Sequence, residues 1–154
     1  MSELKAVVIG CGGHAQSHLR MIDKEPRLQL VGIAELDQKR RERNGAEWQV
    51  EAFADYRQML DTARPDIVIV ATHPELHRNM VVDCAAAPSV RAIICEKPMA
   101  LSVQQCDDMI DACRQERVLL SVNHNRRWHP EWQLAARLLA DGAIGELNHI
   151  TCHM

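Results

Sequence analysis

No apolar run in the 154 residues approaches the roughly 20 that cross a bilayer as a helix. No secretory leader precedes the first apolar segment, so a cytoplasmic protein is expected. There is no basic block, and the net charge is −3. That argues against nucleic acid and acidic membrane surfaces as partners. The six cysteines, Cys11, Cys84, Cys95, Cys106, Cys113 and Cys152, form no C-x-x-C pair. Most lie in apolar segments, where free cysteine behaves as a small hydrophobe, so reduced core thiols are expected. Cys11, inside a glycine turn, is the one expected to be exposed and reactive. Internal repeats and low-complexity linkers are missing too. What remains, 47% hydrophobic and 25% charged, is the composition of a soluble domain with a core of its own.

The chain is organised around Lys5 to Leu19, KAVVIGCGGHAQSHL. Ala6 to Ile9 read as a short buried strand. Gly10, Gly12 and Ala15 follow at the spacing G-x-G-x-x-A, and Leu19, Met21 and Ile22 then recur at helical spacing. Strand, glycine turn and helix are the parts of a dinucleotide-binding unit. Gly10 makes the tight turn, Gly12 lets the backbone approach a pyrophosphate, and Ala15 lets helix pack closely on strand. The helix start offers free N–H groups and a positive dipole end to phosphates. A second apolar strand, Leu28 to Ala34, ends at Glu35, 25 positions after Gly10. An acidic residue there is placed to meet an adenosine ribose. Asp37 reads as a helix cap.

Further on, a charged helix spans Gln38 to Asn44, with Asn44-Gly45 as its stop. A short strand is expected within Trp48 to Phe53, and Asp55 caps a helix to Ala63. Asp66 to Ala71 is a third core strand, followed by Thr72-His73-Pro74, with Pro74 opening a helix to about Ala87. Val90 to Cys95 is a fourth strand, ending in Glu96-Lys97-Pro98. Ser102 caps a helix to about Glu116, Arg117 to Val122 is a fifth core strand, and His129-Pro130 opens a helix to Leu139. Ile144 to Met154 reads as extended. Strands alternating with helices predict an α/β fold, a Rossmann-type doubly wound parallel sheet. Ligands of such sheets bind beyond the carboxyl ends of the strands. Glu35, Thr72 and Glu96-Lys97-Pro98 all fall there.

These motifs together resemble the N-terminal domain of the Gfo/Idh/MocA oxidoreductases, the group of glucose-fructose oxidoreductase and inositol dehydrogenase. The matching stretches are VIGCGGHAQSHL (8–19), Glu35, VIVATHPELH (68–77), ICEKPMALS (94–102), NRRWHP (125–130) and DGAIGEL (141–147). The resemblance implies an NAD(P)-dependent oxidoreductase acting on a sugar- or polyol-like alcohol. It implies that Gly10, Gly12, Gly13, His14 and Ala15 carry the pyrophosphate and Glu35 the ribose diol. Thr72, His73 and His77 would line the nicotinamide half, although here His73 stands where the family usually has proline. Glu96 and Lys97 would flank the nicotinamide and the reacting carbon, with Lys97 catalytic, and Arg127 matches the arginine before the aromatic. It further implies a cofactor domain over 1–142 and, in 143–154, the start of a substrate domain that the chain does not carry.

Hydride transfer from an alcohol carbon needs a group that handles the hydroxyl proton, and Lys97 can share it or steady the developing alkoxide. NAD is expected over NADP, because Glu35 would repel a 2′-phosphate. Lys39, Arg40 and Arg41 nearby read as a solvated helix face. A stand-alone nucleotide-binding or sensing module is the second reading of function. A methyltransferase, the third, leaves Glu96-Lys97-Pro98 unexplained. His73 and His77 are four apart, as helical zinc ligands are, but Pro74 puts His73 before the helix, so no metal is expected. The period of two over Asn148 to Met154 predicts a tail strand. The chain is expected to be a monomer or a weak, tail-mediated dimer.

Overall fold

The computed structural model describes residues 3–151. Six strands alternate with helices: β1 (Leu4–Ile9), α1 (Ala15–Lys24), β2 (Leu28–Ala34), α2 (Gln38–Trp48), β3 (Ala52–Phe53), α3 (Tyr56–Ala63), β4 (Ile67–Val70), α4 (Pro74–Ala85), β5 (Ala92–Cys95), α5 (Val103–Gln115) and β6 (Leu119–Val122). They form one parallel sheet in the order β3-β2-β1-β4-β5-β6. The expected doubly wound α/β architecture is therefore present. The order reverses direction between β1 and β4, and that switch point is where such sheets open a crevice.

The central strands are apolar but for Lys5 at the start of β1, because both faces are covered. Ala6 and Val8 of β1 join Ile33, Ile69 and the α1 residues Ala15, Leu19 and Ile22 in one core. Val7 and Ile9 face the other way, into a core with Val68, Val70, Ile93, Met80 of α4 and Met109 of α5. Ala15, His18, Leu19 and Ile22 make the buried stripe of α1, at helical spacing. Burying a side chain such as Leu19 contributes roughly 1.5–3 kcal/mol.

All ladders stop on one line. Ile9 is level with Ala34 and with Val70, Val70 with Cys95, and Cys95 with Val122. The residue beyond each end then donates its N–H to a neighbouring strand: Gly10 to Ala34, Glu35 to Phe53, Ala71 to Ile9, Glu96 to Val70 and Asn123 to Cys95, at 2.8–2.9 Å. Gly10, Glu35, Glu96 and Asn123 thus stand in one row along the carboxyl edge.

Several expected boundaries move. The stop at Asn44-Gly45 is not used: α2 continues to Trp48 and ends at Gln49, in the left-handed region at φ 53°. Gly45 serves close approach instead, since a Cβ there would lie 2.9 Å from Ala52 Cβ. Trp48 is consequently helical, and the strand expected within 48–53 is confined to Ala52–Phe53. Asp55 and Ser102 cap α3 and α5 as expected, accepting from the N–H groups of Arg57 and Gln105.

The first compact unit reaches to Asn123 and a second runs from His124. The second contains a 3-10 turn, Asn125–Trp128, and α6 (Pro130–Ala140). His129 is extended ahead of Pro130, whose ring disfavours a helical residue before it. Asn148 to Thr151 pair with no strand among the described residues, and the rest of the expected tail strand lies outside them.

Candidate functional site

The glycine turn is built by steric necessity at one position and by open space at the next two. Gly10 has φ +87°, and a Cβ there would lie 2.7 Å from the Ala71 carbonyl oxygen and 2.9 Å from Thr72 Cγ2. Only glycine fits. A Cβ on Gly12 or Gly13 would meet no protein atom within 4 Å. Protein packing therefore does not demand glycine there; the room lies on the outer side of the turn. Ala15 is fully buried, so the start of α1 sits tightly on the sheet. His14 is exposed and makes no side-chain cap. The first N–H groups of α1 are left to meet an anion.

Glu35 lies beside this turn, one strand away. Its Oε2 accepts from the Cys11 N–H at 2.9 Å and its Oε1 from the Asp37 N–H at 3.0 Å. Arg40 Nε approaches Oε2 at 3.2 Å. A carboxylate offers about four acceptor positions, so one remains while Arg40 stays and two when it turns away. Arg41 is engaged as well, donating to the carbonyls of Glu35 at 2.8 Å and Leu36 at 3.1 Å. Beneath them, Gln16 Nε2 donates to Asn44 Oδ1 at 2.7 Å, and Asn44 Nδ2 donates to the Arg40 carbonyl at 2.8 Å. Asn44 is fully buried, so this link fixes α2 against the start of α1.

Cys11 departs from expectation. It is 1% exposed, and burial first, then the Glu35 charge, push its thiol up to about 12. A thiol so protonated is a poor nucleophile. Cys84, Cys95, Cys106 and Cys113 are free thiols, as expected; Cys152 lies outside the described residues.

The third part of the site lies past β4 and β5. Thr72 is half-buried, with its hydroxyl 3.4 Å from Met80 Sδ, and His73 is exposed at the start of α4. His77 is fully buried. Its Nε2 lies 3.1 Å from the Thr72 carbonyl oxygen, and its Nδ1 lies 3.1 and 3.2 Å from those of Pro98 and Met99. The ring thus stands between the two loops.

Glu96 and Lys97 point apart. Lys97 is exposed and Glu96 is buried. Alternation along β5 sends Ile94 and Glu96 toward α1. There Glu96 Oε1 accepts from His18 Nε2 at 2.8 Å and from Asn123 Nδ2 at 2.7 Å, while Oε2 lies 3.2 Å from the Lys97 N–H. Asn123 Nδ2 also comes within 3.4 Å of His18 Nε2, because both donors share one acceptor. Burial alone would raise the Glu96 carboxyl. The hydrogen bonds from Asn123 and His18, the attraction of His18 and the Lys97 N–H outweigh it, and the carboxyl lies below its ordinary value.

The row along the carboxyl edge brings together Gly10, Gly12, Gly13, His14, Ala15 and Glu35 at one end, and Thr72, His73, Glu96 and Lys97 at the other. Glu35 and Glu96 follow strands three places apart, about 14 Å. Arg127 belongs to the second unit, on the 3-10 turn, and is exposed. The structure adds His18, Asn123, Gln16 and Asn44 to the residues expected from the sequence, and Arg40, exposed as expected of a solvated helix face, also pairs with Glu35. His18 left one signal, a polar residue on the apolar stripe 15-18-19-22. Among the described residues, no group of three or more His, Cys, Asp or Glu is arranged to hold a metal. No helix among them is long and apolar enough to cross a membrane.

The open space over Gly12 and Gly13, the helix start behind it and a carboxylate with acceptor positions to spare fit a dinucleotide. Comparison with known proteins agrees. Residues 4–124 match the family model described as an oxidoreductase family with an NAD-binding Rossmann fold. A D-apiose dehydrogenase of Paraburkholderia graminis is 34% identical over 94% of this chain and 38% of its own length. An oxidoreductase from Agrobacterium radiobacter, solved with NAD+, L-tartaric acid and magnesium, superposes with a TM-score of 0.86. It is 31% identical over 94% of this chain and 42% of its own. A myo-inositol 2-dehydrogenase from Lactobacillus plantarum gives a TM-score of 0.87 at 25% identity, over 95% of this chain and 43% of its own. The chain spans about two fifths of the length of the curated relatives it matches.

Proposed function

Because this chain belongs to the Gfo/Idh/MocA oxidoreductase family through its NAD-binding Rossmann fold, we propose that it holds the cofactor for hydride transfer between nicotinamide and a sugar- or polyol-like alcohol. The observation that carries this reading is the row at the carboxyl edge, which pairs an open glycine turn and an oriented Glu35 with an exposed Lys97. The dehydrogenases of apiose and inositol among its relatives support the substrate class.

Bound NAD supplies the acceptor for hydride. The chain's own residues bind and orient. Gly10 turns the backbone, and Gly12, Gly13, His14 and the α1 start seat the pyrophosphate, with Ala15 keeping the helix close. Glu35 accepts from the ribose diol. Thr72 and His73 border the nicotinamide end, and His77 braces that loop from behind. Lys97 touches the reacting alcohol, where its amine takes the hydroxyl proton or its ammonium steadies the alkoxide. Glu96 holds the loop.

NAD is favoured over NADP. Glu35 would repel a 2′-phosphate, and Arg40 and Arg41, the cations that would welcome one, are already bonded to Glu35 and to backbone carbonyls. Free buried thiols suit a reducing compartment, which supports a cytoplasmic protein. Titrating the chain with NAD, NADH, NADP and NADPH tests the reading. NADH should bind tighter than NADPH. Equal or tighter NADPH would remove the preference, and no binding of any of the four would remove the function.

A further inference from the structure

We infer that His18 and Asn123 are positioning residues which, through Glu96, set the place of Lys97 and hence the grip on the nicotinamide end of the cofactor. The inference rests on the cofactor reading above and adds residues that reading does not use. Glu96 is 6% exposed and His18 8% exposed, so their contact is buried. The three members come from three elements: His18 from α1, Glu96 from the end of β5 and Asn123 from the end of β6. Two of them are pinned by backbone, since Glu96 N–H donates to Val70 and Asn123 N–H to Cys95.

Buried ion pairs contribute little on balance, and apolar groups of the same shape would fill the space as well. What an apolar filling would lose is direction. With Oε1 held by two donors at 2.7 and 2.8 Å, Oε2 is turned toward the N–H of the next residue, which is Lys97. The carboxylate thereby fixes the peptide from which the lysine departs. Its other anchor, His18, sits one helical turn beyond the glycine turn on α1. Seating the pyrophosphate and aiming Lys97 therefore depend on the same helix.

Removing His18 leaves a buried carboxylate short of a donor, and the loop has to move to rehydrate it. The nicotinamide end should suffer and the ADP end should not. The test compares NADH with ADP-ribose, which lacks the nicotinamide, by calorimetry on the whole chain. For His18→Leu, NADH affinity should fall about tenfold while ADP-ribose stays within about twofold. His18→Gln, which keeps a donor at similar reach, should recover most of the loss. Asn123→Ala, at a half-buried position, should show the same pattern and serves if His18→Leu fails to fold. Equal losses for both ligands would mean general damage and overturn the inference, as would no loss for either. A wild-type chain binding NADH no tighter than ADP-ribose would overturn it and leave the cofactor site standing. Failure to bind either ligand would overturn the cofactor reading and this inference with it.

Discussion

Gly10 and Gly12 make opposite demands on the same turn, and substitution separates them. Gly10→Ala puts a Cβ 2.7 Å from a carbonyl oxygen at a φ of +87°. It should cost at least about 1–3 kcal/mol, read by denaturant unfolding. Gly12→Ala meets no protein atom. It should leave stability within about 1 kcal/mol and yet weaken NADH about tenfold or more, because the new methyl occupies ligand space. Equal stability with unchanged NADH affinity would free that space from the cofactor. Glu35→Gln should weaken NADH and narrow its advantage over NADPH in the same titration. Glu96 carries a pH signature. Its carboxyl is held below its ordinary value in the fold, so its contribution is complete above about pH 4.3 and is lost as pH falls through the lowered folded value. The stability difference between wild type and Glu96→Gln should be present at about pH 5 and shrink steadily below about pH 4, in urea unfolding at stepped pH. The residues at strand ends were legible because a residue ending an apolar run in a parallel sheet is on the ligand edge. His18 was not, since a histidine on an apolar stripe says nothing of the carboxylate that meets it from 78 positions away. Cys11 departs from the expectation for a related reason: the turn folds its side chain inward, into the core with Ala15 and Leu19.

The elements were legible wherever one signal governed them. Apolar runs marked five core strands, and Asp55, Pro74 and Ser102 marked helix starts with local chemistry. The end of α2 was not, because Asn44-Gly45 carries two roles. Asn44 is buried to accept from Gln16 and donate to the Arg40 carbonyl, and Gly45 admits Ala52. A tertiary use of the pair overrides its local preference for stopping a helix. Asn44→Ala should therefore destabilise the chain by about 1–3 kcal/mol in thermal or denaturant unfolding, as a buried link lost rather than a cap. It should also loosen the adenosine end, weakening NADH and ADP-ribose alike. That sets it apart from the His18 variants.

At the scale of the molecule, the chain holds a cofactor edge and an exposed lysine, and its relatives are more than twice as long. Lys97 is open to water, and orienting a substrate against the cofactor is worth up to about 7–11 kcal/mol of a barrier. The chain alone should bind NAD and not reduce it with inositol or related polyols; steady NADH formation at 340 nm would refute this. Removing residues 143–154 should leave NADH binding unchanged, and any weak dimer should be lost with them, as read by calorimetry and sedimentation. Loss of folding or of binding would make that segment part of the cofactor domain. The central claim is that the dinucleotide lies along the carboxyl edge, from Glu35 over the glycine turn to Lys97. An amide NMR titration of the chain with NADH tests it most directly. The largest shifts should fall at Gly12, Gly13, Leu36 and Lys97, with little change at Leu28, Ile67 and Ala92 at the opposite ends of the strands. Shifts confined to those opposite ends, or their absence at Leu36 and Lys97, would contradict it.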